Sequence, residues 1–250
     1  MNKIICALLS MVSIATANAQ DGIDWVGGVA VGYTGLDFNA KLDSDPLFPA
    51  VVLTGSASFS DFYLTLSYAD TLGKVTISEE EDIGDGNRSD LDLTFGYRLN
   101  PSWNIYIGYK DSETDIDYLL RDSTLVRNES YKRDGLIVGA TYIINMNNMG
   151  NLSLNLGYVD LSTDNNFIAD TEDDDDDEPP EEFDDLTGRQ SGDATGISYG
   201  LSWLIPVTES LLFNTTFKIN EYDEEIRFAG QNFKTDHSLS FFNVGILYLF

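Results

Sequence analysis

The residue best suited to acid–base chemistry is His237, the only histidine of the chain, and it directly follows Asp236. An imidazole beside a carboxylate can take or give a proton near neutral pH. Asp115 and Asp117 supply the kind of second carboxylate pair that would position a water or a nucleophile. Almost every hydrolytic reading passes through His237, because the only cysteine, Cys6, sits close to the N-terminus in an apolar run. The expectation for His237 is a histidine exposed at a loop edge. The run "EDDDDDE" at 172–178, followed by "PPEEFDD", is the most conspicuous charged feature. Like charges repel and there is little apolar surface to bury, so it reads as a solvated loop, with hard divalent cations as the only metals its carboxylates suit. The stretch "DIGDGNRSD" at 82–90 lacks the Asp-x-Asp-x-Asp-Gly spacing of a calcium loop. The sequence therefore assigns no catalytic, cofactor-binding or metal-ligating set.

The elements that must position these groups are strands. Trp103, Ile105, Ile107 and Tyr109 alternate with Asn104, Tyr106, Gly108 and Lys110. Leu91, Leu93, Phe95, Tyr97 and Leu99 alternate with Asp92, Thr94, Gly96 and Arg98, and Leu152 to Val159 repeats the pattern. Side chains at i and i+2 share a face, so each segment has one greasy face and one small or polar face. Strands are expected near 24–35, 50–59, 62–70, 89–99, 103–116, 133–144, 151–162, 195–205, 211–222 and 237–250. That is about ten, although eight or twelve also fit. Connections at 60–61, 100–102, 145–150 and 206–210 are short. Those at 36–49, 71–88, 117–132, 163–194 and 223–236 are long and polar. Asp92, Arg98, Lys110 and Lys218 fall on the polar faces, where opposite charges pair into a plug more readily than they line a pore.

Such alternation suits a β-sandwich as well as a barrel. Three features favour the barrel. Met1–Ala19 has a basic Lys3, an apolar stretch and Ala17-Asn18-Ala19, which together make a cleavable export signal ending before Gln20. The domain is then 20–250. Aromatic residues cluster at strand ends: Trp25, Phe59, Phe62, Trp103, Trp203 and Phe213 by the short turns, Tyr33, Tyr68, Tyr109 and Tyr158 by the long loops. The alternation of short and long connections completes the set. The formal net charge is −28, and losing Lys3 with the leader makes it −29; a nucleic-acid partner is excluded by repulsion from phosphates.

The last strand carries the most specific motif. Asn243-x-Gly245-x-x-Tyr248-x-Phe250 resembles the C-terminal signal of bacterial outer-membrane β-barrel proteins, in which a polar residue and a glycine precede alternating aromatics. The resemblance covers the chain from 20 to 250. It implies an all-β, antiparallel, up-and-down transmembrane barrel in the cell outer membrane. It further implies that Asn243, Gly245, Tyr248 and Phe250 are read by the barrel-assembly machinery. Lipids and lipopolysaccharide are the implied partners, with divalent cations at the acidic loops. The expected role is structural or surface-interacting, with narrow porin-like permeability as an open variant. The alternative is an outer-membrane hydrolase at the loop-side mouth near His237, since the ten-stranded proteases of the family use an aspartate–histidine pair with a second aspartate pair. The sequence contexts of Asp236, His237, Asp115 and Asp117 do not match that family's motifs.

Overall fold

The computed structural model describes residues 22–38, 46–79, 82–119, 126–167, 188–228 and 231–250. These form β1 (Ile23–Phe38), β2 (Leu47–Phe59), β3 (Phe62–Thr71), β4 (Val75–Glu79), β5 (Asp82–Asn100) and β6 (Trp103–Leu119). There follow β7 (Val126–Asn145), β8 (Asn151–Phe167), β9 (Gly188–Pro206), β10 (Leu211–Phe228) and β11 (Gln231–Leu249). Each strand pairs antiparallel with its neighbour, β3 pairs with β5, and β1 pairs with both β2 and β11. Ten strands therefore close into a ring, and the short β4 pairs with the first part of β5 outside it. Closure matters because an open edge inside a bilayer would leave backbone groups without partners.

Stepping from pair to pair around the ring fixes the shear. Val26 leads through Ser56, Thr65, Thr94, Gly108, Ile137, Val159, Gly196, Tyr222 and His237 back to Phe38 on the first strand, a displacement of 12 residues. Ten strands with that stagger tilt by about 40° and leave an interior only slightly wider than the side chains that fill it.

The outer surface carries the apolar faces read from the sequence. Leu93, Phe95, Ile105, Ile107, Leu136, Val138, Leu154 and Leu156 are all exposed there. A water-soluble domain does not leave so continuous a belt uncovered, and a membrane-spanning barrel presents such a belt. Phe62 packs on Phe95 and Tyr97, Trp103 on Tyr142, and Tyr248 on Phe250, with ring centroids 4.8–5.7 Å apart. These lie at the end of the short turns, and Tyr33, Tyr109 and Tyr158 mark the other edge of the belt. The turns themselves are tight: Ser60 at φ 53° and Gly150 at φ 85° take the left-handed conformations they require.

The strands run further at the loop end than the apolar alternation predicts. β7 starts at 126 rather than 133, β9 at 188 rather than 195, and β8 ends at 167 rather than 162. Above the lipid belt the outer face turns polar, so hydrophobic contrast vanishes while the backbone ladder continues. The expected loop 71–88 is corrected too, since it contains the β4–β5 hairpin. Of the expected loop 163–194 both flanks are strand, and the acidic run 172–178 lies outside the described residues.

Candidate functional site

Inside the belt the lumen is crossed by a charged strap. β5 and β10 stand five steps apart in either direction round the ring, hence on opposite walls. The ladder row from Lys218 reaches β5 at Arg98, six residues from Asp92, which is half of the shear of 12. Two residues so related face each other at equal height. Lys218 Nζ donates to Asp92 Oδ2 at 3.0 Å, and Lys110 on the adjacent β6 donates to Asp92 Oδ1. Phe241 braces the strap from β11, with its ring centroid 4.6 Å from Lys218 Nζ. The strap separates two cavities, about 270 Å³ on the β6–β9 side and about 260 Å³ on the β1–β2–β11 side. Of the four lumen charges expected from sequence, three meet here. Arg98 stands apart at the turn end and donates to Ser58 Oγ at 3.3 Å.

The small residues of the inner face make room for rings. A Cβ on Gly96 would lie 2.0 Å from the Tyr63 ring, so that ring lies against β5 at the turn end only because position 96 has no side chain. Above the strap the lumen holds an apolar cluster beside buried polar groups, Asn220 and Arg88 among them. Leu36, Ile137, Val159, Leu161, Ala194, Tyr222 and Leu239 form one buried cluster, with Phe48 and Ile77 completing it.

A second polar layer lies at the loop end, level with outward-facing charges rather than with the lipid belt. Arg133 Nη2 donates to Glu224 Oε2 at 3.0 Å across the lumen, and both side chains are all but inaccessible. Tyr131 donates its hydroxyl to the same carboxylate oxygen, and Arg133 also contacts His237 Nε2. The guanidinium lies 4.1 Å from the Tyr131 ring centroid and 5.1 Å from that of Tyr222. On β5, Arg88 Nε and Nη2 grip the two oxygens of Asp90 at 3.0 and 2.6 Å, and Nη1 donates to Thr114 at 2.7 Å.

Burial dominates the electrostatics of this layer. It pushes the Glu224 carboxyl above its usual range, with Arg133 pulling the other way. It lowers the Arg133 guanidinium to about 10, against the pull of Glu224. His237 is held well below 6.5 by burial and by the positive charges of Arg133 and Arg88, so the imidazole is neutral at pH 7. Because the unfolded chain binds a proton on this histidine that the folded chain refuses, stability falls as pH drops below about 6.5, by up to ~1.4 kcal/mol per pH unit. Glu224 acts with the opposite sign, holding a proton in the fold between 4.5 and its raised value. Urea unfolding of refolded protein between pH 7 and 5 should therefore show a shallower acid loss in His237→Gln than in the native chain. Parallel curves would mean that His237 is solvated.

The structure corrects the expectation of an exposed loop-edge histidine: His237 is 5% exposed and points into the lumen. Its parity with Leu239 and Phe241 on β11 sets that direction, whereas Asp236 falls on the outer face. Asp115 and Asp117 also face outward, on β6, where Asp117 accepts from Lys74 at 2.9 Å. The four residues of the hydrolase alternative are thus divided between opposite faces of the wall. Residues 82–90 are strand, not a cation loop, and Arg88 takes both oxygens of Asp90. Among the described residues, no three of His, Cys, Asp and Glu are grouped to hold a metal. Arg88, Arg133 and Glu224 escaped the sequence reading. Extending the parity of Ile137 to Arg133, or of Lys218 to Glu224, would have placed them in the lumen.

At the C-terminus, Asn243 and Gly245 face the lumen while Tyr248 and Phe250 face outward. A Cβ on Gly245 would meet the Ala30 Cβ at 2.4 Å, so β1 and β11 close only around a glycine there. Phe250 N–H donates to Trp25 O at 3.0 Å, and its ring covers Gly27. The terminal residue is held against the first strand.

No family model matches the chain, and no curated protein does. Among solved structures, the translocator domain of the autotransporter NalP from Neisseria meningitidis superposes with a TM-score of 0.52 at 9% identity, covering 100% of this chain and 96% of that one. This chain has the fold of a bacterial outer-membrane barrel. The outer membrane protease OmpT from Escherichia coli gives a TM-score of 0.49 at 12% identity, covering 93% of this chain and 98% of that one. Ail, the attachment invasion locus protein of Yersinia pestis, gives 0.41 at 11%, with 92% and 100% covered. At these identities the likeness concerns the barrel and not its activity.

Proposed function

We propose that the chain is exported to the outer membrane and serves there as a sealed, non-catalytic barrel that presents its loop end to the surroundings. One observation carries the reading: the Asp92–Lys218 bridge spans the lumen between opposite walls, beneath a buried apolar cluster. Water-filled porins need about sixteen strands, and here the narrower lumen is also barred twice. Export follows from the leader at 1–19, and the termini and short turns then face the periplasm. The assembly machinery would read Asn243, Gly245, Tyr248 and Phe250. Lipid and lipopolysaccharide surround the belt, and divalent cations would associate loosely with the acidic loops.

Planar-bilayer recording of the refolded protein is the test. The sealed barrel should give no steady unitary conductance; steady channels from the native chain would replace this reading with a narrow pore. Mass spectrometry of the membrane-extracted protein should find Gln20 at its N-terminus, and a retained leader would contradict the export route.

A further inference from the structure

The strap has more donors than it uses. Asp92 accepts one bond on each oxygen, from Lys110 and from Lys218. Each ammonium carries three N–H groups and no acceptor. The trio therefore keeps one net positive charge, with N–H donors left over, inside a barrel whose whole chain is at −28. The cavity on the β1–β2–β11 side is lined by Lys218 without Lys110, whereas Lys110 and Lys218 both line the cavity on the β6–β9 side. Its walls are otherwise uncharged, with the hydroxyls of Thr65, Thr94, Ser198 and Thr216 among them, and Asp92 is its only carboxylate. At about 270 Å³ it lies just below the usual range of ligand pockets, roughly 300–1,000 Å³. The apolar cluster lies above it toward the loop end.

We propose that the β6–β9 compartment of the lumen is a binding site for a small oxyanion, a carboxylate or phosphate of few atoms, held by Lys110 and Lys218 and reached from the turn end. Asp92 is the competing acceptor that holds the two ammonium groups in place. The assignment rests on the sealed-barrel reading only for the side of approach. Binding by the purified barrel is measured without any membrane, so it can fail while the conductance test succeeds, and the reverse.

The experiment is a titration of the refolded, lysine-15N-labelled barrel in detergent with acetate and separately with inorganic phosphate, chloride holding the ionic strength constant. The expected result is a saturable shift of the Lys110 and Lys218 ammonium signals with at least one of the two anions. Lys218→Met and Lys110→Met should each weaken it about tenfold, as loss of one charge-assisted bond implies. Asp92→Asn, which removes the competing negative charge, should bind more tightly than the native chain. A purely structural strap predicts the contrary: no saturable shift in the native chain, or an unchanged binding curve at the remaining lysine in Lys110→Met and in Lys218→Met. Either result overturns the proposal, as does weaker binding by a correctly folded Asp92→Asn barrel. Should Asp92→Asn fail to refold, the two methionine variants decide by themselves.

Discussion

Glu224→Ala should destabilise the refolded barrel by about 3–5 kcal/mol, the cost of leaving a buried charge without its partner. The Arg133 side chain is 1% exposed and that of Glu224 0%, so water cannot take over the lost role. The carboxylate also accepts from Tyr131 and, at 3.5 Å, from Asn165 Nδ2, so its removal strands several donors. The neutral ring of His237 cannot supply the missing charge. Replacing both members together, as in Arg133→Met/Glu224→Leu, should cost far less, because an apolar pair would simply extend the neighbouring cluster of Leu36, Leu161 and Leu239. Urea midpoints of the three variants in detergent decide the matter. A loss below about 1 kcal/mol for Glu224→Ala would be the value of an exposed pair and would show the layer to be wet.

Deleting Phe250 should have its largest effect in cells. The ring is only half covered, resting on Gly27 and Tyr248, so its contribution to the finished barrel is bounded by the 1.5–3 kcal/mol of a fully buried side chain, about half of that here. Its backbone N–H adds one bond to Trp25, at the seam where β1 meets β11. If Phe250 belongs to an assembly signal, the amount of inserted barrel should fall much further than these losses explain, while refolding in detergent stays near normal. Quantifying heat-modifiable barrel in outer-membrane fractions against refolding yield of the same variant separates the two. Equal losses in both would reduce Phe250 to an ordinary residue of the aromatic belt.

The alternation from Trp103 to Tyr109 or from Leu91 to Leu99 made the belt legible because lipid imposes hydrophobic contrast on a strand. That contrast stops at Asp134 on β7 and Glu221 on β10, and there the expected boundaries stopped as well, although the backbone pairs onward. His237 illustrates the cost. Counting back from Phe242 by parity puts it in the lumen, yet its nearest outward neighbours are Asp236 and Ser238, so nothing around it looked like a membrane strand. The strap is half legible: the alternation places Asp92, Lys110 and Lys218 all on inward faces. Which of them meet depends on the number of strands and the shear together, since a change in either would set a different residue opposite Lys218. Arg98, on the same face of β5 as Asp92, is six residues too low to join. Contacts such as Arg133 with Glu224 join strands three steps apart in the ring and depend on the same two integers.

With the proposed removal of residues 1–19, and of Cys6 with them, the chain has no thiol, so a single introduced cysteine reports its own surroundings without background. Thr216→Cys lies beside the strap, beneath the apolar cluster, and Glu225→Cys lies on the outer face of the same strand at the loop end. Intact cells are treated with a thiol reagent too bulky to pass general porins, and the labelled fraction is compared with that of detergent-unfolded protein. A lumen closed toward the exterior predicts rapid modification at 225 and none at 216 until the barrel is unfolded. Labelling of position 216 from outside, at a rate approaching that of position 225, would show that the lumen is open to the exterior.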